Sequence, residues 1–275
     1  MAKKVWFITG ASRGFGQKWA EAALGRGDKV AATARKLGDL APLREKFGDL
    51  VLLPLALDVN DHDACFAAVQ QAHARFGCLD VVINNAGYGL FGAIEEVSEA
   101  EARAQMETNF FGALWVTQAA LPLLRKQGGG HIIQVSSIGG VAAFTTTGIY
   151  HASKWALEGL SESLAQEVKE FGIKVTLVEP SGFTTDWAGS SGVRARENPA
   201  YDGIRARRAE MRKSMSAGDP AATAAAILKL VDAPEPPLRL LLGESAVKIA
   251  EQRYQDRPKV WSAWREVSLA ADGKR

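Results

Sequence analysis

Short apolar runs rich in β-branched and small residues recur along most of the 275-residue chain. Each is followed by a turn and then by a longer stretch in which apolar positions return every three or four residues. The runs at 4–9, 29–34, 51–57, 81–84, 131–136, 174–179 and 238–242 predict strands. Several are continuous rather than alternating, the pattern of a strand covered by helices on both faces. Helical spacing predicts helices over 14–26, 61–76, 99–126, 150–171 and 220–232, with a weaker one near 39–47. Strands and helices in alternation predict one α/β domain, a doubly wound parallel sheet of about seven strands with helices on both faces.

Gly128, Gly129 and Gly130 fit a helix stop feeding a strand better than a linker between domains. Two segments break the rhythm. Residues 188–217 are rich in Ser, Gly, Arg and Glu and lie where a crossover is normally short, so they are expected to form a mobile lid over a substrate. Residues 1–243 would then be the dinucleotide-binding and catalytic domain. Residues 244–275 form an amphipathic helical tail carrying Tyr254, Trp261 and Trp264, expected to pack on the same domain or on a second subunit.

Composition narrows the function classes. Apolar residues make up 47% and charged residues 23%, ordinary for a folded soluble chain. The formal net charge is +2, so no global positive field points to nucleic acid. Cys65 and Cys78 have neither metal-ligand spacing nor the number for a disulfide framework, and no metal is expected. The apolar run after Met1-Ala2-Lys3-Lys4 stops at Thr9-Gly10, too soon for a signal peptide, and no stretch of about 18 apolar residues exists to span a membrane. A cytoplasmic location with no membrane partner is the expectation.

The first strand runs into Thr9-Gly10-Ala11-Ser12-Arg13-Gly14-Phe15-Gly16 and then a helix. Glycines allow a tight turn and close approach to a pyrophosphate, and the helix N-terminus attracts its charge. The spacing differs from the common G-x-G-x-x-G fingerprint. Asp58 and Val59 follow the third strand, where a carboxylate can meet an adenine amino group, and Asn84-Asn85-Ala86-Gly87 follows the fourth. Both lie at the carboxyl edge of the sheet, where open α/β folds bind ligands.

Tyr150 and Lys154 stand four apart at a helix start, on one face. A free phenol has a pKa of about 10, and an ammonium ~4–5 Å away would lower it by roughly 2–3 units, before any effect of burial. Ser137 ends the preceding strand and could join Tyr150 on one carbonyl oxygen. Asn109 is a polar residue beside Phe110 and Phe111 and needs partners if buried. His151, beside the tyrosine, reads as neutral structure.

With its Thr9-Gly10-x3-Gly14-x-Gly16 turn, Asn84-Asn85-Ala86-Gly87, Asn109, Ser137 and Tyr150-x3-Lys154, the chain resembles the short-chain dehydrogenase/reductase family. The resemblance covers residues 3–187 and, more loosely, the chain up to 242. It implies a Rossmann-type fold and a nicotinamide cofactor, Tyr150 as acid/base, Ser137 on the substrate oxygen, Lys154 on the nicotinamide ribose, and Asn109 anchoring a water-linked proton relay. It also assigns Pro180 and Thr185 to the nicotinamide amide, although Ser181 stands where that family usually has glycine. A homo-oligomer, dimer or tetramer, is implied as well.

No carboxylate follows the second strand, whereas Arg35 there and Arg13 in the glycine turn suit a 2′-phosphate, so NADP is the expected cofactor. The expected reaction interconverts a small-molecule ketone or aldehyde and an alcohol. Phe144 and Trp187 are expected walls of the substrate pocket, with Tyr88 and Leu90 as weaker ones. A noncatalytic NADP-sensing regulator on the same fold is the alternative, and a nucleotide-sugar epimerase a third. Retention of both Tyr150 and Lys154 argues against the sensor, and the absence of a larger C-terminal substrate domain against the epimerase.

Overall fold

The computed structural model describes residues 3–189, 191–213 and 217–273. The expected lid and tail extend onto residues 190, 214–216, 274 and 275, which lie outside the described residues.

The side chains of β1 (Val5–Ile8) divide by parity between two core layers. Trp6 and Ile8 pack with Trp19, Leu40 and Ile227, whereas Val5 and Phe7 pack with Val69, Val116 and Ile173. A strand enclosed on both faces has no polar side, which accounts for its unbroken apolar sequence. Alternation continues through α1 (Gly14–Gly25), β2 (Lys29–Ala34), α2 (Ala41–Phe47), β3 (Leu52–Ala56), α3 (His62–Phe76), β4 (Val81–Asn84) and the two-residue β5 (Leu90–Phe91). Next come α4 (Glu99–Met106), a π-helical stretch at Glu107–Phe111, α5 (Gly112–Gln127), β6 (Gly130–Val135), α6 (Gly148–Glu167) and β7 (Ile173–Pro180). The chain continues through β8 (Val193–Arg194), α7 (Asp202–Lys213), α8 (Thr223–Asp232), β9 (Arg239–Leu242), α9 (Glu244–Ala263) and α10 (Arg265–Ala270).

Seven parallel strands form one sheet in the order β3-β2-β1-β4-β6-β7-β9, a Rossmann-like single domain. Pro54 sits in β3, an edge strand, where its missing N–H breaks no ladder. The order reverses between β1 and β4, opening a crevice at the carboxyl ends of the strands. Gly128 caps α5 with φ +81°, so the triple glycine is a helix stop.

Three differences from the sequence reading matter. The helix expected over 99–126 carries a π turn at Glu107–Phe111, which inserts Asn109 into its buried face. The segment 188–217 is not a bare loop. β8 pairs with β5, and α7 follows, whose Arg-rich sequence has no apolar stripe to announce a helix. Its Arg208 donates to the Thr145 carbonyl and the Thr146 hydroxyl. The tail's apolar packing is at its beginning, where Ala246 and Ala250 meet Ile138 and Val141. Arg257 adds a polar contact farther on, donating to Val141 O at 2.7 Å and standing over the Trp155 ring. Tyr254, Trp261 and Trp264 are exposed.

Candidate active site

A cleft of about 660 Å³ spans the carboxyl ends of the strands. Among the residues expected from sequence, its lining includes Gly10, Ser12, Arg13, Gly14, Phe15, Arg35, Asp58, Val59, Ala86, Gly87, Ser137, Tyr150, Lys154, Pro180, Thr185 and Trp187. Gly16, Asn84, Asn109 and Phe144 do not line it.

The glycine turn is built for close approach. Gly10 has φ +64°, and a Cβ there would come within 3.0 Å of the Ala86 backbone. Arg13, the N-cap of α1, caps it with no side-chain hydrogen bond, and the first turn holds no acidic residue. The first amides of α1 are therefore unclaimed by side chains, and they stand at the cleft, where a pyrophosphate fits them. Gly16 is a packing glycine, since its Cβ would lie 2.5 Å from both Gly10 O and Asn85 Nδ2.

Asn84 is a correction. As the last residue of β4 it points into the layer beneath the sheet, where Nδ2 donates to Ala113 O at 3.2 Å and Thr117 Oγ1 at 3.0 Å. Strand alternation hands the cleft position to Asn85, whose Nδ2 donates to Thr9 O and Gly10 O at 2.9 and 3.0 Å and ties the glycine turn to β4. Asn85, Asn60, Ser136 and Phe183 line the cleft without having been singled out. The Asn-Asn motif held the signal for the first of these.

Asn109 is buried and its amide is fully engaged. Oδ1 accepts from Tyr88 N at 3.0 Å, while Nδ2 donates to Tyr88 O at 3.0 Å and Ser153 Oγ at 3.1 Å. It clamps the Tyr88 backbone to α6 behind the cleft wall. Phe144 stands outside the lining, its ring 5.6 Å from that of His151. The Phe144 amide donates to His151 Nδ1, and burial pulls the His151 imidazole down to about 4, so it is neutral. Trp187 is the aromatic wall, its ring centroid 4.9 Å from Tyr150 and 5.1 Å from Phe91. Tyr88 joins the lining, whereas Leu90 is buried away from it.

Tyr150 and Ser137 both line the cleft, with the Ser137 hydroxyl close enough to the phenol to favour its charged form. Lys154 Nζ donates to Val135 O at 2.8 Å and stands 5.9 Å from the Tyr150 ring centroid. The expected lowering of the phenol does not occur. Burial pushes Tyr150 up to about 12, with the neighbouring Ser137 hydroxyl offsetting only part. Burial also draws Lys154 down to about 8, opposed by the Glu158 charge. Desolvation outweighs attraction because both groups are buried and the ammonium is held on a carbonyl.

The family model for short chain dehydrogenases matches residues 4–194. The chain belongs to the short-chain dehydrogenase/reductase family. It is similar to oxidoreductase BOA17 of Botryotinia fuckeliana, 45% identical over 98% of this chain and 99% of that protein. A short-chain dehydrogenase of Streptomyces avermitilis superposes with a TM-score of 0.92 at 40% identity, covering 98% of each chain. An alcohol dehydrogenase of Thermococcus sibiricus, solved with 5-hydroxy-NADP, has a TM-score of 0.73 at 26% identity, covering 88% of this chain and 96% of that one. As a short-chain dehydrogenase the protein is an oxidoreductase acting on small molecules, with a nicotinamide cofactor. No helix among the described residues is long and apolar enough to cross a membrane.

Proposed function

We propose that the protein is an NADP(H)-dependent carbonyl reductase or alcohol dehydrogenase with Tyr150 as general acid/base. The observation that carries this reading is the Tyr150–Ser137 hydroxyl pair inside the cleft, flanked by Lys154 and facing the uncapped N-terminus of α1.

The dinucleotide would lie across the sheet edge, with its pyrophosphate on the amides of Ser12–Phe15 and its adenine near Asp58 and Val59. Its nicotinamide would lie against Pro180 and Thr185. The bound nicotinamide supplies the hydride. Ser137 holds the substrate oxygen, and Tyr150 gives that oxygen its proton during reduction or takes it during oxidation. Lys154, charged, lies near the ribose and eases formation of the phenolate. Asn109 acts at one remove, keeping Tyr88 and Ser153 in register with the tyrosine. Trp187 and Phe91 make the substrate end apolar, favouring bulky ketones or secondary alcohols. Segment 188–217, attached through Arg208, is the lid. A homo-oligomer through the faces of α5 and α6 is part of the same reading, supported by the half-buried Phe111 and Trp115 rings stacked at 5.6 Å where the π turn meets α5, and light scattering tests it.

Oxidation of NADPH by the purified chain across a panel of bulky ketones and aldehydes tests the activity. Turnover with at least one carbonyl class is expected. Cofactor binding without turnover on any of them would favour the sensor instead.

A further inference from the structure

One turn beyond Lys154 on α6 stands Glu158, and across from it Glu179, the residue of β7 that precedes Pro180 of the cleft lining. Both are buried and both reach the same Arg239 Nε, so their carboxyl groups are close neighbours. Two carboxylates this close repel and can only accept, so their juxtaposition is relieved by a proton on one of the two, which could then be shared between them. Beyond this group, Glu158 Oε1, Glu179 Oε1 and Ser136 Oγ have no further partner, and Ser136 itself lines the cleft.

The charges facing the pair can be counted. From β9, Arg239 Nε lies 3.1 Å from Glu158 Oε2 and 3.5 Å from Glu179 Oε1, while its Nη2 lies 2.6 Å from Glu162 Oε2. Lys154 and Glu162 face it from α6, and the Ser136 hydroxyl from β6 is uncharged. Three carboxylates against Arg239 and Lys154 would leave one net negative charge in a mostly buried cluster, and one bound proton brings the cluster to neutrality.

We propose that Glu158 and Glu179 share one proton in the folded protein and act as a positioning pair whose negative charge keeps the Lys154 ammonium charged in the cleft wall. Neither residue touches substrate or cofactor. Both act through Lys154, so the catalytic consequence rests on the function proposed above, whereas the shared proton does not. The electrostatics run the same way. Burial and the Glu158 charge push Glu179 up to about 8, and burial raises Glu158 too. Lys154 comes down to about 8, with Glu158 opposing the fall. As pH rises, the pair releases its proton in the range where Lys154 would lose its own, and the added negative charge holds the ammonium.

Two measurements on the ligand-free protein test this. Infrared spectra should contain a neutral carboxylic acid band at pH 6–7 that disappears in both Glu158→Gln and Glu179→Gln, because each variant leaves one carboxylate paired with Arg239. In protein carrying ¹⁵N-labelled lysine, Glu158→Gln should lower the Lys154 titration midpoint by about 1 unit, while Glu179→Gln should not lower it. Absence of the acid band in the wild type overturns the proposal, as does an unchanged Lys154 midpoint in Glu158→Gln. Should Glu158→Gln not fold, the wild-type band and its loss in Glu179→Gln decide. Neither readout needs turnover, so a chain inactive on every carbonyl tested would refute the proposed reaction and leave this inference standing.

Discussion

Lys154 Nζ stands 5.9 Å from the centre of the Tyr150 ring yet gives its hydrogen bond to the Val135 carbonyl, 2.8 Å away. The ammonium therefore braces the cleft wall, and the phenol, pushed up to about 12 by burial, stays protonated at neutral pH. A protonated phenol is the form needed to reduce a carbonyl. Tyr150→Phe should lower kcat for ketone reduction by roughly 10²–10⁴-fold while leaving cofactor affinity and Tm unchanged. In the wild type the reduction rate should be level through neutrality and fall only at higher pH, beyond about 8, where the Lys154 ammonium is lost in spite of the Glu158 charge that holds it. A Tyr150→Phe enzyme retaining more than a few per cent of turnover would remove the tyrosine from the mechanism.

Trp187 packs on both Tyr150 and Phe91 at the proposed substrate end of the cleft. Trp187→Ala removes a large apolar surface without touching the hydroxyl pair. KM for a bulky apolar ketone should rise about 10-fold or more, at ~1.4 kcal/mol per tenfold, with a smaller change for a short aliphatic one. Equal effects on both ketones would place the substrate elsewhere.

Arg208 joins α7, part of the proposed lid, to the loop before α6 by donating to the Thr145 carbonyl and the Thr146 hydroxyl. Thr146 has φ +59°, uncommon for a residue with a branched side chain, so the loop depends on its partners. In Arg208→Ala, hydrogen exchange through α7 should speed up and substrate KM should rise with little change in the cofactor Kd. Unchanged exchange in α7 would mean that Arg208 does not fasten the lid.

Much of this was legible in sequence because the signals were periodic. Seven apolar runs became the seven strands of the central sheet, since strands covered on both faces must be apolar throughout. The glycine turn and the Tyr150–Lys154 spacing put their residues into one cleft because helix and strand geometry carry those positions over a distance. Asn84 was misplaced because neighbouring residues at a strand end face opposite ways, and the motif alone does not say which faces out. α7 and the π turn at Asn109 were invisible. The first has no apolar stripe, and the second is a one-residue insertion in a helix that reads as continuous. The high phenol of Tyr150 was missed because attraction was counted from spacing, while burial is a property of the fold.

His131 sets an acid limit to stability. It is buried, and its Nε2 lies 2.9 Å from Thr176 Oγ1, which itself donates to Pro237 O at 2.7 Å, so the imidazole must donate from Nε2. Burial brings its pKa down from 6.5 to about 3. Between those values the unfolded chain binds the proton and the folded chain does not, so stability is full above 6.5 and is lost as pH falls toward 3. One such proton gives a slope of about 1.4 kcal/mol per pH unit. Urea unfolding between pH 6.5 and 4 should show a gentler slope in His131→Gln by about that amount, even though the variant is less stable at pH 7. Parallel slopes would mean that another group governs acid unfolding.

The proposed preference for NADP rests on Arg13 and Arg35. Both line the cleft, Arg13 at the start of α1 and Arg35 immediately after β2, and the stretch from Ala31 to Lys36 contains no carboxylate to receive a ribose 2′-hydroxyl. A 2′-phosphate carries about −1.5 to −2 charges, and one charge-assisted hydrogen bond contributes roughly 1.5–3 kcal/mol, so either arginine alone should favour NADPH over NADH by ~10–100-fold. Two features pull toward the lower end. Arg13 is about half exposed, and its Nη1 lies 3.9 Å from Asp186 Oδ2, a competing acidic partner within the same cleft. Screening makes the first of these dependent on salt, so the ratio of kcat/KM for NADPH over NADH should shrink as ionic strength rises. Arg13→Ala and Arg35→Ala should each raise KM for NADPH and leave NADH kinetics nearly unchanged. Asp186→Asn, by releasing Arg13 from its competitor, should raise the preference for NADPH a few-fold over wild type, and it should lose that gain when combined with Arg13→Ala. Equal efficiencies with the two cofactors, or a preference for NADH, would show that neither arginine reads the phosphate.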